Sequence, residues 1–118
     1  MKAFKLININ STDSSFQEGT ITELIPIKAK YFQIETKTAI ESLWHPAPRY
    51  QFAITVKGKL KFTVTNGDTF IVEPGVIVIA NDLLGKGHKW EIVDGNEWHR
   101  IYIVPDPNAD ECFKLLMV

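Results

Sequence analysis

Two histidines, a guanidinium and a carboxamide stand beside the two most apolar runs of this chain. Trp44-His45-Pro46-Ala47-Pro48-Arg49-Tyr50-Gln51 leads directly into Phe52-Ala53-Ile54-Thr55-Val56, with Gly58 just beyond. His88 closes the segment Gly85-Lys86-Gly87-His88, which follows the run Val76-Ile77-Val78-Ile79-Ala80. An imidazole titrates near neutrality, so it can take or give a proton or ligate a metal. A guanidinium holds an anion, and an inward one is costly unless it is paired. Such groups gathered at one rim of a small barrel, whose interior is otherwise filled by apolar side chains, mark a site. The sequence therefore suggests a pocket for a small polar or anionic metabolite, contacted by His45, Arg49, Gln51, His88 and Trp90. If the pocket is also catalytic, His45 or His88 is the general base of an isomerase or lyase, and Arg49 stabilises the developing negative charge.

These residues need a frame, and the frame reads as all-β. Short runs rich in β-branched and aromatic residues recur between turn signals, while helical periodicity is weak. Strands are expected at Phe4–Ile9, Thr20–Ile27, Lys30–Glu35, Gln51–Val56, Leu60–Thr65, Thr69–Val72, Val76–Ala80, His88–Val93 and Trp98–Val104. Asn66-Gly67-Asp68 and Glu73-Pro74-Gly75 punctuate them as tight turns. Many short strands at even spacing imply a sandwich or barrel.

Alternation assigns the faces. In Leu60-Lys61-Phe62-Thr63-Val64-Thr65 the apolar residues share one side. His88 falls with Trp90 and Ile92, inward. Arg49, Gln51, Ala53 and Thr55 fall together, and as an interior set they give a polar mouth tapering to small residues. His99 alternates with Ile101 and Ile103 and reads as a hydrogen-bonded barrel histidine. The runs Phe52–Val56 and Val76–Ala80 are apolar on both faces, so their outer face needs a second layer or a second subunit. A homodimer is the expected assembly.

The order and spacing of these residues resemble the cupin superfamily, small β-barrels of the jelly-roll (double-stranded β-helix) type. His45 falls on the first histidine of the family's first motif, and Gln51, ahead of Gly58, falls on its glutamate. Ala47 takes the place of the second histidine. Gly85 and His88 match the glycine and histidine of the second motif, while Ile92 replaces its asparagine and Leu83 its proline. The resemblance covers residues 30–104 or so, and it is nearest to small single-domain bacterial cupins carrying His-Pro-Ala-Pro-Arg and Gly-Lys-Gly-His segments. It implies one cupin domain over residues 1–118, with the core barrel at about 30–104. Residues 1–29 add strands to this barrel or to a partner's.

In metal-holding cupins the corresponding positions bind iron, manganese, nickel or zinc. The resemblance thus implies a divalent-metal site at His45, Gln51 and His88. Ala47 cannot ligate and Gln51 offers only a neutral carbonyl, so such a site lacks the carboxylate of a facial triad and binds weakly. Asp82 or Glu35 is a possible replacement carboxylate. A degenerate metalloenzyme of isomerase, lyase or dioxygenase type is the second reading. A non-catalytic dimeric module, structural or sensory, is the third.

Bulk properties narrow the partners. At 118 residues and 13.4 kDa the chain suits one domain. Its net charge of −1 and pI near 6.3 provide no footprint for nucleic acid or an acidic membrane. The single cysteine, Cys112, precludes an internal disulfide. The residues after Met1 lack the apolar core of a signal peptide, and no run approaches membrane-spanning length, so a cytoplasmic location is expected.

Overall fold

A computed structural model describes residues 1–116, and every regular element in them is a β-strand. No helix of these residues is long and apolar enough to cross a membrane. The strands are β1 (Lys2–Asn8), β2 (Ser14–Ile21), β3 (Ala29–Lys37), β4 (Gln51–Val64), β5 (Thr69–Val72), β6 (Ile77–Asn81), β7 (His88–Pro105) and β8 (Phe113–Leu115). They form one eight-stranded sheet in the order β3-β7-β4-β6-β1-β2-β8, with β5 paired to β4, and the path does not close on itself. All neighbours are antiparallel except β1 and β6.

Two pairs of expected strands prove to be single long ones. Gln51–Val56 and Leu60–Thr65 belong to β4, and His88–Val93 and Trp98–Val104 belong to β7. Both break at one place: the step from Lys57 to Lys59 on β4 faces the step from His99 to Asp94 on β7. Unequal lengths across a ladder bend and twist both strands. Gly58 sits inside the break at φ 110°, where a Cβ would lie 2.7 Å from the Glu97 carbonyl oxygen. No other residue fits that conformation and that approach without strain.

The break turns each strand from one half of the sheet into the other, and the core lies between the halves. Ala53, Val78 and Trp98 on one side pack with Leu60, Phe62 and Trp90 on the other, joined by Phe4 and Leu6 of β1. Trp98 anchors this core: 2 % exposed, it meets Trp90 and Phe62 edge-on, and its indole N–H donates to Thr55 Oγ1 at 3.0 Å.

The expected strand Thr20–Ile27 is replaced by β2, which starts earlier and stops at Ile21. The polar stretch before it is a hairpin turn, in which Asn10 Oδ1 accepts from the backbone N–H of Thr12 and of Asp13, both at 2.8 Å. That turn fixes the register Lys2↔Thr20 to Asn8↔Ser14, so β2 ends where its partner does. The N-terminal strands join the same chain's sheet, β1 against β6 and β2 against β8.

The outer face of the apolar runs is covered partly by the chain itself. Phe52, Ile77 and Ile79 pack with Ile21, Ile27, Cys112 and Phe113. Lys5 and Tyr50 hold this C-terminal cover through Glu111, with the Tyr50 hydroxyl donating to Glu111 Oε2 at 2.7 Å. Burial, and then that carboxylate, push the Tyr50 phenol well above its ordinary value. The cover does not reach β3, an end strand on which Phe32 and Ile34 are 65 % and 75 % exposed.

Candidate functional site

Three of the polar groups singled out by position and chemistry, joined by one that was not, surround one small cavity between the two halves of the sheet. It has a volume of about 50 Å³, and its polar lining comes from His45, Gln51, His88 and Arg100. The apolar lining includes Ala53, Val78, Ala80, Phe62 and Trp98. Wider depressions, of about 250 and 440 Å³, lie beside Lys61 and beside Lys57. Lys61 there pairs with Glu91 and Lys57 with Glu97, and neither depression is lined by a buried side-chain polar atom left without a partner among the described residues.

The two imidazoles are brought together by backbone pairing. His45 and His88 exchange N–H···O=C bonds, each 2.9 Å, across an isolated bridge, and their ring centroids lie 4.5 Å apart. Gly87 permits this approach. It has φ +74°, and a Cβ there would stand 2.0 Å from the His45 carbonyl oxygen. Gly87→Ala is therefore expected to cost at least 2 kcal/mol or so, from the left-handed backbone and the clash together. Chemical denaturation measures that loss, and the His45 ring resonances should shift with it.

Each ring is oriented through Nδ1. His88 Nδ1 is 2.7 Å from Asp82 Oδ2, and His45 Nδ1 is 2.9 Å from the Leu43 carbonyl oxygen. A carbonyl or carboxylate partner places the proton on Nδ1, which leaves Nε2 of the neutral ring as an acceptor. Asp82 is wholly buried, and the same Oδ2 also accepts from Ser14 Oγ at 3.0 Å. Burial lowers the pKa of His45, and the nearby His88 adds to this, against the opposing pull of the Leu43 carbonyl and Asp82. A histidine with a depressed folded pKa leaves the unfolded chain binding the extra proton. This contribution thus lowers stability as pH falls below about 6.5 and is absent at higher pH.

Gln51, first residue of β4, is 4 % exposed, and its Oε1 has no hydrogen-bond partner among the described residues. Arg100 of β7 is 6 % exposed and lies between Trp98 and Tyr102, its guanidinium carbon 4.2 and 4.4 Å from the two ring centres. Its Nη2 donates to Glu35 Oε2 at 3.0 Å, while its buried Nε has no partner among the described residues. Burial alone would raise the Glu35 carboxyl, but the hydrogen bonds and charges of Arg100 and Lys37 outweigh it and hold it below its ordinary value.

Not every residue expected at the site is in it. Arg49 does not line the cavity: it donates to Gln33 Oε1 at 3.0 Å and lies over the rings of Tyr31 and Tyr102. The strand begins only at Gln51, so the alternation shared by Gln51, Ala53 and Thr55 does not extend back to Arg49. Trp90 is core, edge-on to Trp98, and also lies outside the cavity. His99 pairs with Glu97 at 2.7 Å and does not line the cavity. Asp82 stands behind His88, and Glu35 is engaged by Arg100. Among the described residues, no group of three or more His, Cys, Asp and Glu side chains is placed to hold a metal ion.

Arg100 is the residue the sequence reading missed, although a signal was present. The alternation that groups His99 with Ile101 and Ile103 places Arg100 with Trp98 and Tyr102 on the opposite face. No family model, curated protein or solved structure matches this chain.

Proposed function

We propose that this chain is a small cupin-type protein of jelly-roll architecture whose interior cavity binds a small polar or anionic metabolite. His45, Gln51, His88 and Arg100 are the contacts, and Arg100 takes the role that the sequence suggested for Arg49. The observation that carries this reading is the set of unpartnered polar atoms around an apolar cavity: Gln51 Oε1 and Arg100 Nε are both buried without a partner. A buried polar atom left unpaired costs about 1–3 kcal/mol, so a group of them around open space is explained by a ligand that pairs them. Thermal shift against a metabolite panel tests this. Ligand-induced stabilisation is expected in the parent chain, following mass action, and is expected to be lost in Arg100→Gln and His88→Gln. An unchanged ligand shift in both variants rejects the proposal.

One observation favours a second reading, a weak divalent-metal site on His45, Gln51 and His88. Asp82 fixes the His88 tautomer as an outer-shell carboxylate does for a ligating histidine. Two imidazoles and a carboxamide fit a divalent ion such as iron, manganese, nickel or zinc, bound loosely for want of a carboxylate. Elemental analysis of protein purified without added metal separates the readings: near one equivalent supports the metal, and a small fraction supports the metal-free pocket.

The uncovered part of the outer face supports a homodimer. Two copies of end strand β3 pairing antiparallel about Gln33 would set Phe32 against Ile34, covering both. Sedimentation is expected to show a dimer that Phe32→Glu converts to a monomer.

A further inference from the structure

We infer that the ligand of this cavity is a 2-hydroxy monocarboxylate of two or three carbons, with its carboxylate toward Arg100 and its hydroxyl toward the paired imidazoles. The inference rests on the reading of the cavity as a metabolite pocket and narrows it to a chemical class.

Size sets the first limit. The cavity measures about 50 Å³. One water needs about 10–15 Å³, so the space holds about three to five water-sized groups, the size of glycolate, with the extra methyl group of lactate at its upper bound. Sugars, nucleotides and aromatic acids are too large.

Charge sets the second. Arg100 presents one guanidinium, and Glu35 already occupies its Nη2 at 3.0 Å. Behind His88 lies the fully buried carboxyl group of Asp82. A single negative charge meets Arg100 favourably, whereas a second would add to the fully buried carboxyl group of Asp82 behind His88. A monocarboxylate suits this balance better than a phosphate.

Hydrogen-bond polarity sets the third. Nδ1 of His88 is committed to Asp82 and Nδ1 of His45 to the Leu43 carbonyl, so a ring in its neutral form presents Nε2 to the ligand as an acceptor. An acceptor pair asks for a hydroxyl donor, which a simple carboxylate lacks. The Gln51 carboxamide completes the polar wall, and Val78 and Ala80 leave the remaining side apolar enough for a methyl group.

Titration of the full chain with glycolate, L-lactate, acetate, inorganic phosphate and citrate tests this, read by calorimetry and by the NMR signal of the Trp98 indole N–H. Glycolate or L-lactate is expected to bind one per chain, at least tenfold tighter than acetate, and to weaken at least tenfold in Arg100→Gln. Ala53→Leu fills the cavity without touching a polar group; it should abolish binding in a folded protein, and it keeps the test valid if Arg100→Gln does not fold. Acetate binding as tightly as glycolate overturns the hydroxy-acid assignment and leaves an anion pocket. Tighter binding of phosphate or citrate overturns the limits of size and charge. If no acid moves the Trp98 signal but a neutral or larger metabolite does, the class is wrong and the pocket stands. If no probe in either set moves it, both readings fall.

Discussion

Trp98→Ala is expected to remove on the order of 4 kcal/mol of stability, the largest single-residue effect in this chain. Deleting a buried Trp side chain removes its transfer free energy and leaves a cavity that its neighbours fill only in part. Trp98 is 2 % exposed, touches aromatic rings from both halves of the sheet, and satisfies Thr55 Oγ1. Its loss also strips one face from Arg100, whose guanidinium carbon lies 4.2 Å from the Trp98 ring. Domains of this size hold about 5–15 kcal/mol in all, so the variant should unfold near physiological temperature. Denaturant melts decide the matter. Trp98→Phe keeps the aromatic packing and loses the hydrogen bond to Thr55, so it should cost only about 1–2 kcal/mol. Equal losses in the two variants would place the importance of Trp98 in the hydrogen bond instead.

Asp82→Ala is expected to cost about 3 kcal/mol and to loosen ligand binding even where the protein stays folded. One carboxylate oxygen serves two buried groups, His88 Nδ1 and Ser14 Oγ. Removing it leaves both without a partner where water cannot substitute, which is the expensive way to break a polar contact. The His88 ring is then free to turn, and Nε2 no longer holds its place at the cavity. Asp82→Asn provides the contrast. Its carbonyl can still accept the Nδ1 proton, so most of the stability should return, while the negative charge behind the imidazole is gone. A ligand-affinity change in Asp82→Asn without a matching loss of stability would assign Asp82 a positioning role. Ser14→Ala, which removes only one of the two donors, should cost about 1 kcal/mol.

The all-β class, the inward side of Leu60, Phe62 and Val64, and the grouping of His88 with Trp90 were legible in the sequence. Each depends on local rules. Period-two alternation places Leu60, Phe62 and Val64 on one side and sets His88 with Trp90, because a pleated backbone leaves no choice. Turn chemistry at Asn66-Gly67-Asp68 closes the β4–β5 hairpin for the same local reason, with Gly67 at φ 92°.

Tertiary structure decided what alternation cannot carry across an interruption. Arg49 was assigned to the interior by counting back from Gln51, but the count holds only within a strand, and Arg49 lies before β4 begins. The expected strand Thr20–Ile27 failed because a partner's register, fixed by the Asn10 turn, outranks β-propensity. The bend at Gly58 is a relation between two strands distant in sequence, and only their pairing shows that Lys57–Lys59 must face His99–Asp94. Asp82, Ser14, Glu35 and Arg100 entered the site in the same way. Their hydrogen bonds join residues 6 to 68 positions apart, and such contacts are set by how the halves of the sheet close on one core.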